Sequence, residues 1–345
     1  MKRLPLTALA AVLLLPLAAC GDDESTTPTT ALATAPSDTT PASTEVEVTE
    51  PTDAADTTTP EAAEPAGPRV VVHAMGETEV PAVVERLVVL DSSFLDAAVA
   101  LDVIPVGATA GLTAGELPAY LEQFVDGGLE TIGDAGLTNN PNLDAIAAMQ
   151  PDLILCAKVR HEALYDLLSQ IAPTVCSESS GTNWTEQVLL TAEALGQEAA
   201  AEQLIADFET RAAEVGEAIG AAGQTARIVR FLPGETRVYG EPTFSGSVLT
   251  AVGYDVTGDS ALQWHPEYGM ALVSPEQFEL LEADVIFATT LDGEGSARGD
   301  FEAVWSALPA VAEGRQFDIE DGTWMTGIGV LGANLILDDL EDWLG

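Results

Sequence analysis

From residue 69 to the end of the chain, short apolar segments of β-strand character alternate with helical segments, and one long helical segment divides this alternation in two. The long segment covers residues 198–221, is rich in Ala, Glu and Leu, and contains no Pro. Strands that alternate with helices are typical of parallel α/β sheets. The sequence therefore predicts two α/β lobes with parallel sheets, residues 69–197 and 222–345, joined by one long α-helix, residues 198–221.

The predicted strands are short apolar runs on both sides of the long helix. In the first lobe they are residues 70–73, 87–90, 105–109, 152–156 and 174–176. In the second lobe they are residues 226–232, 237–240 and 284–289. Helices are predicted at 161–171, where Leu164, Leu167 and Leu168 recur at helical spacing, and at 329–344.

The start of the chain has the composition of a bacterial signal peptide. Lys2 and Arg3 give a cationic start, and residues 4–19 form an apolar run too short to span a bilayer comfortably. The run ends in Leu-Ala-Ala-Cys, which resembles the bacterial lipobox. Residues 1–19 are therefore predicted to be removed and Cys20 to be lipidated. An ordinary signal peptide with an incidental cysteine is the alternative.

Residues 20–68 are predicted to form a disordered acidic tether behind the lipidated cysteine. Residues 22–68 consist mainly of Thr, Pro, Ala, Asp and Glu, without a Lys, an Arg or an aromatic residue. Such a segment cannot bury enough apolar surface to offset its ordering entropy. As a flexible coil its ends would lie about 40 Å apart on average, which would hold the folded part away from the membrane.

The charge of the chain excludes some partners. The formal net charge is −44, and Lys158 is the one lysine beyond the predicted signal peptide. Such a surface repels nucleic acid and anionic lipid, so we expect no nucleic-acid binding and membrane contact through the lipid anchor only. High net charge also favours a monomer.

Two cysteines remain after Cys20 is assigned to lipidation. Cys156 and Cys176 each end a predicted strand, and those strands are expected to be neighbours in the sheet. Because an exported protein meets an oxidising compartment, the sequence favours a disulfide between them. Two buried free thiols are the alternative.

Several motifs in a fixed order resemble one family. The run NLDAIAAMQPDLIL at 142–155, the segment 160–175 that ends in IAPTV, the sequence VSPE at 273–276 and the segment 324–340 carry the likeness. Together they resemble the iron–siderophore solute-binding lipoproteins of ABC importers, over essentially all of residues 70–344. Relatives within that family also bind haem or vitamin B12.

The resemblance implies a class III solute-binding fold, in which a rigid helix joins two Rossmann-like lobes and ligand lies in the cleft between them. It implies an extracytoplasmic binding component, not an enzyme, that delivers a ferric siderophore to an ABC permease and its ATPase. No intrinsic cofactor is expected. The expected location is the outer face of the cytoplasmic membrane of a Gram-positive bacterium. Haem and cobalamin remain alternative ligands.

Arginines are the first candidate ligand contacts. A ferric siderophore already supplies oxygen ligands to its iron, so the protein must recognise a polar or anionic shell, which a planar, permanently charged guanidinium suits. The resemblance implies that Arg160 and Arg230 face the siderophore. Arg237 lies on the neighbouring strand of the second lobe and is a third candidate. Surface ion pairing with the abundant acids is the alternative for each.

Aromatic side chains are the second set of candidates, because they supply rigid contact area at low entropy cost. Trp184 and Trp324 follow predicted strands and are expected in the cleft, together with Tyr239. For Trp264 and Tyr268, ligand contact and loop packing remain equally open.

Two carboxylates are candidates for permease docking. In the family, one acid at the top of each lobe contacts arginines of the permease, and the matching positions here are Asp144 and Glu276. Asp144 departs from the family, which usually has Glu there. The alternative is that both acids favour the first turn of a helix.

Other chemistries find weaker support in the sequence. His73, His161 and His265 are not paired at ligand spacing, so a bare transition-metal site is not expected. Haem needs an axial His or Tyr, for which His161, His265 or Tyr239 would serve. Ser245 lies between small residues but outside a Gly-x-Ser-x-Gly elbow, which leaves a surface α/β hydrolase as the lower alternative.

Overall fold

The computed structural model describes residues 67–111, 116–266, 268–291, 296–299 and 301–345. These residues belong to a single unit, Ala62–Gly345. The predicted signal peptide, Cys20 and almost all of the predicted tether lie outside the described residues. Within the described part, no helix has the length and apolar character needed to cross a bilayer.

The strands lie in two large sheets and one separate hairpin. They are β1 (Arg69–His73), β2 (Gly76–Val80), β3 (Leu87–Val89), β4 (Gly107–Ala110), β5 (Gly133–Leu137), β6 (Asn140–Pro141), β7 (Leu153–Ala157), β8 (Thr174–Ser177), β9 (Ala226–Leu232), β10 (Glu235–Tyr239), β11 (Met270–Leu272), β12 (Val285–Thr290) and β13 (Gln316–Asp318).

Helices cover both sheets. They are α1 (Ser92–Ala100), α2 (Leu143–Ala148), α3 (Lys158–His161), α4 (Tyr165–Leu168), α5 (Trp184–Leu195), α6 (Glu198–Ile219), α7 (Phe244–Val252), α8 (Ser296–Gly299), α9 (Glu302–Trp305), α10 (Pro309–Ala312), α11 (Asp321–Trp324) and α12 (Val330–Leu344). Short 3₁₀ turns lie at Ala119–Phe124, Leu129–Thr131, Glu162–Leu164 and Pro275–Leu281.

The first lobe is built on the sheet β6-β5-β4-β3-β7-β8, which is parallel except for β6. The predicted strand at 70–73 exists, but it pairs with β2 in a separate antiparallel hairpin. The predicted helix at 161–171 is broken into α3, a 3₁₀ turn and α4. Leu168 of this stretch is buried, whereas Leu167 is exposed, so the apolar stripe is narrower than the sequence spacing indicates.

The second lobe is built on the sheet β11-β10-β9-β12-β13. Strands β9, β12 and β13 are parallel, whereas β10 and β11 run antiparallel to their neighbours. The sheet of this lobe therefore contains the predicted parallel strands and, in addition, an antiparallel part formed by β10 and β11. Pro233 and Gly234 explain the difference, because a two-residue turn joins only antiparallel strands, and Gly234 takes a positive φ of 84° there.

The long helix α6 lies between the lobes and contacts α5 on one side and α7 and α12 on the other. Its buried face includes Phe208, Ala212, Val215 and Gly216. A Cβ on Gly216 would lie 1.9 Å from the carbonyl oxygen of Val252, so α6 approaches the end of α7 backbone to backbone. One continuous core cluster therefore runs from α5 through α6 into the second lobe.

Candidate functional site

The candidate site lies where parallel strands end in each lobe, the edge at which open α/β sheets bind ligands. In the first lobe, β7 ends at Ala157 and leads directly into α3, which carries Arg160. In the second lobe, Arg230 lies near the end of β9, and α11 follows the end of β13. The sequence thus places a cation at the same edge of both sheets.

Arg160 is held in one orientation by a buried carboxylate. Its Nε donates to Oδ2 of Asp91 at 3.0 Å, and its Nη2 donates to the hydroxyl of Ser180 at 3.3 Å. Asp91 is 3% exposed, caps α1 by accepting from the N–H of Ser93, and also accepts from Ser180 at 2.9 Å. Nη1 of Arg160 donates to Oδ1 of Asn139 at 3.4 Å, so all three guanidinium nitrogens are engaged while the side chain stays partly exposed.

A surface cavity of about 540 Å³ opens beside Arg160. Lys158 lies on its wall and donates to Glu178 at 2.8 Å. Glu162 also lines this cavity. The space next to the first-lobe arginine is therefore lined by both cations and acids.

His161 lies beneath this cavity and fixes the start of α3. One ring nitrogen, Nε2, bonds the carbonyl of Thr138 at 2.8 Å, and the other, Nδ1, accepts from the N–H of Ala157 at 3.2 Å. Burial lowers the pKa of His161, so the ring is neutral at pH 7. The imidazole is fully buried and both of its nitrogens are hydrogen-bonded, so His161 is not placed to ligate haem. The predicted alternative of His161 as an axial haem ligand is therefore wrong.

Arg230 forms a bidentate ion pair in the second lobe. Its Nε and Nη2 donate to the two carboxylate oxygens of Asp321 at 2.7 and 2.5 Å, with both side chains mostly buried. Arg237 lies directly opposite Arg230 across β9 and β10 and pairs with Glu235. Burial raises the pKa of Asp321, and the ion pair with Arg230 opposes that rise.

The partly buried Tyr239 lies on the same sheet face as these arginines, because it is two residues beyond Arg237 on β10.

Arg298 is a further cation near these strands that was not predicted as a candidate. Arg298 is on α8, which packs against β9 and β12, and it pairs with Asp318 at the end of β13. The sequence offered one signal for Arg298: arginines are few in this acidic chain, so each of them is a candidate.

Two tryptophans of the predicted ligand site are largely buried. Trp184 is 4% exposed, and its indole N–H donates to Ser247 at 3.0 Å while its ring packs edge-on against Phe208. Trp324 is fully buried and donates to Asp339 at 2.7 Å. The burial of Trp324 speaks against its predicted contact with ligand, because residues that follow strands also cover the core between the lobes. Trp184 still lines a surface cavity together with Glu209 and Ser247, so ligand contact by Trp184 stays a prediction.

The other aromatic candidates take part in local packing, and the candidate nucleophile is buried. The ring of Trp264 packs against Gly240, which favours the loop-packing alternative. Tyr268 is exposed and stacks on His265 with ring centres 4.4 Å apart. Ser245 is 1% exposed inside α7, so it is not placed to act as a nucleophile.

The two lobes touch next to the candidate site. The hydroxyl of Ser92, beside Asp91, donates to the carbonyl of Thr326 at 3.3 Å. Thr326 follows α11, which begins with Asp321. The carboxylates that hold Arg160 and Arg230 therefore each lie within a few residues of this contact along the chain.

The remaining candidates are a cysteine pair and two exposed acids. Cys156 and Cys176 are opposite each other in β7 and β8 and are joined by a disulfide, with Cα atoms 4.4 Å apart. Asp144 is exposed in the first turn of α2, and Glu276 is exposed in the first turn of the 3₁₀ helix that Ser274 begins. Across the described residues, no group of three metal-ligating side chains is gathered.

Comparisons with known proteins agree with this architecture. A family model described as periplasmic binding protein matches residues 87–322. The probable siderophore-binding lipoprotein YfiY of Bacillus subtilis is 32% identical over 287 residues, which cover 80% of this chain and 87% of that relative. The Fe(3+) dicitrate-binding periplasmic protein FecB of Escherichia coli is 27% identical over 267 residues, covering 74% and 83%.

Among solved structures, Staphylococcus aureus SirA complexed with staphyloferrin B is similar, with a TM-score of 0.71 and 29% sequence identity. The match covers 79% of this chain and 97% of that one. The predicted fold class, two α/β lobes joined by a long helix as in class III binding proteins, is confirmed. The chain belongs to the periplasmic binding protein family.

Proposed function

We propose that this protein is the extracytoplasmic substrate-binding component of an ABC importer, and that it captures a ferric siderophore between its lobes. One observation carries the proposal: Arg160 and Arg230 lie near strand ends of opposite lobes, and their carboxylate partners are close in sequence to the contact between Ser92 and Thr326. The siderophore-binding relatives support the same ligand class.

Each of these arginines retains donors for a ligand. Arg160 donates once from each of Nε, Nη1 and Nη2, and Arg230 donates from Nε and Nη2. Because a guanidinium has five N–H groups, both arginines keep N–H groups to spare, and both side chains retain some exposed surface. A guanidinium fixed in this way has already lost its rotamer freedom, so a hydrogen bond to a chelate oxygen costs less entropy. The siderophore would keep its own bonds to iron.

Binding to the purified chain tests this proposal. Calorimetric titration with ferric hydroxamate, catecholate and citrate chelates, haem and cobalamin should give saturable binding for a ferric chelate. We expect Arg160→Ala and Arg230→Ala each to weaken that binding by about 1–3 kcal/mol, as loss of a charged hydrogen bond does. Arg315→Ala, which removes a surface ion pair with Glu313, is the matched control. Unchanged affinity in both cleft variants would overturn the ligand site.

Delivery to the permease is a separate part of the proposal. We propose that the exposed carboxylates of Asp144 and Glu276 dock on the permease, one from each lobe, and that the chain reaches it through a lipid anchor at Cys20 on the outer face of a Gram-positive membrane. The Cys156–Cys176 disulfide would form in that compartment.

A charge-reversal pair tests docking without touching the cleft. We expect Asp144→Lys combined with Glu276→Lys to block uptake of the ferric chelate by cells while leaving the affinity of the purified protein unchanged. Glu202→Lys combined with Glu217→Lys reverses two exposed charges on α6 and serves as the control. Normal uptake by the first variant would refute the docking assignment.

A further inference from the structure

The first-lobe side of the cleft carries no surplus positive charge. Arg160 is paired with Asp91, and Lys158 is paired with Glu178. Glu162 adds an acid to the wall of the same cavity. The two cations are therefore already matched by carboxylates before any ligand arrives.

The second-lobe side is balanced in the same way. The pairs there are Arg230 with Asp321, Arg237 with Glu235, and Arg298 with Asp318. Glu320, next to Asp321, adds another carboxylate, which accepts from the N–H groups of Gly322 and Thr323. Each of these three arginines is thus paired with an acid, and Glu320 is an acid in excess.

The two most buried of these carboxylates are fixed in place. Asp91 caps α1 and accepts from Ser93 and Ser180 as well as from Arg160, so turning it away would leave several buried donors unpaired. Asp321 holds Arg230 with both oxygens. An anionic ligand would therefore have to bind beside fixed negative charges and not in their place.

The electrostatic field of the whole protein also disfavours anionic ligands. The chain has a formal net charge of −44, and a field of one sign slows the approach of ligands of that sign. Salt screens this field beyond about 8–10 Å, but it screens the partly buried pairs of the cleft much less. Both effects disfavour a ligand with several negative charges.

We infer that the cleft selects ferric chelates with little or no net charge, of the hydroxamate type, over polyanionic carboxylate or catecholate chelates. This inference rests on the proposed function. Each hydroxamate carries one negative charge, so three of them balance Fe³⁺, whereas three catecholates leave a surplus of negative charge. A neutral chelate accepts hydrogen bonds from the free guanidinium donors without adding charge beside Asp91 and Asp321.

A panel of chelates tests the selection directly. We would measure the affinity of the full chain for neutral ferric trihydroxamates such as ferrichrome, for ferric dicitrate and for a ferric tris-catecholate, at constant ionic strength. The neutral chelates should bind at least about tenfold more tightly than either anionic class. Tighter binding of an anionic chelate would overturn the inference and leave the proposed function standing. Binding of no chelate at all would overturn both.

Neutralising the fixed acids supplies an independent arm. We expect Asp321→Asn and Asp318→Asn to raise the affinity for the anionic chelates by about tenfold relative to the neutral ones, because each frees an arginine charge. Asp338→Asn removes an ion pair between Asp338 of α12 and Arg211 of α6, and should leave this ratio unchanged. An unchanged ratio in both cleft variants would show that the paired acids do not set selectivity.

Discussion

The carboxylate of Asp96, in the first lobe, accepts a hydrogen bond from the backbone N–H of Gly332, in the second lobe, at 3.0 Å. It also accepts from the N–H of Leu331 at 3.1 Å and from the hydroxyl of Tyr120 at 2.8 Å. Asp96 is fully buried, and the donors from α12 belong to the first turn of that helix, where a negative charge is favoured. The carboxylate thus fastens α1 to α12 across the lobes.

The burial of Asp96 predicts a dependence of stability on pH. Burial raises the pKa of Asp96 to about 6 from its ordinary 3.8. Between these two pH values Asp96 is protonated in the folded protein and ionised in the unfolded chain. The stability that protonation of Asp96 contributes is therefore fully present below about pH 4 and is lost as the pH rises through about 6. A shift of this size corresponds to roughly 3 kcal/mol at most.

The measurement is urea unfolding at pH 5 and pH 7 for the wild type and for Asp96→Asn. Many carboxylates of this chain titrate in the same range, so the difference between the two proteins carries the information. We expect the wild type to gain stability on acidification relative to Asp96→Asn, which cannot take up the proton. Parallel pH dependences would contradict the assigned pKa.

Trp324→Phe should lower stability without changing ligand affinity. The substitution leaves the half-buried carboxylate of Asp339 without its indole donor, and loss of a hydrogen bond to a charged group costs about 1–3 kcal/mol. Trp305→Phe is the matched control, because the buried indole N–H of Trp305 has no hydrogen-bond partner among the described residues. Chemical unfolding and chelate titration of both variants check this, and a loss of affinity in Trp324→Phe alone would restore the tryptophan to the ligand site.

Gly216→Ala should destabilise the junction between the lobes. The added methyl would meet the carbonyl oxygen of Val252 at 1.9 Å, and such overpacking costs about 1–3 kcal/mol or more. Gly299→Ala, on α8, places its new Cβ more than 4 Å from every atom of the described residues and should change stability little. Thermal unfolding compares the two, and equal melting temperatures would show that α6 and α7 yield easily.

Replacing both Cys156 and Cys176 by Ala should lower the free energy of unfolding by about 3 kcal/mol, the value expected for opening a loop of 20 residues. A reducing agent should destabilise the wild type by a similar amount and leave the double variant unaffected. Denaturant unfolding with and without the reductant provides the measurement. Insensitivity of the wild type to reduction would indicate that the thiols are free in the isolated protein.

The sequence predicted most of the architecture because buried strands are short apolar runs and α6 is long and free of Pro. It missed the antiparallel half of the second sheet, since the direction of β10 depends on the turn at Pro233 and Gly234. Burial of Trp184 and Trp324 was hidden because position after a strand does not say which side a ring faces. Arg298 was missed because the pairing of α8 with Asp318 joins segments that local pattern does not connect.

Asp96 and Leu331 are separated by 235 residues along the chain, and this distance has a consequence for the order of assembly. A chain is synthesised from its amino end, so the buried carboxylate of α1 has no partner until α12 has been made. Contacts of such long sequence separation form slowly and leave apolar surface uncovered in the meantime. The seam between the lobes can therefore close only after residues 330–344 have been synthesised, which makes the docking of α12 a late step of folding.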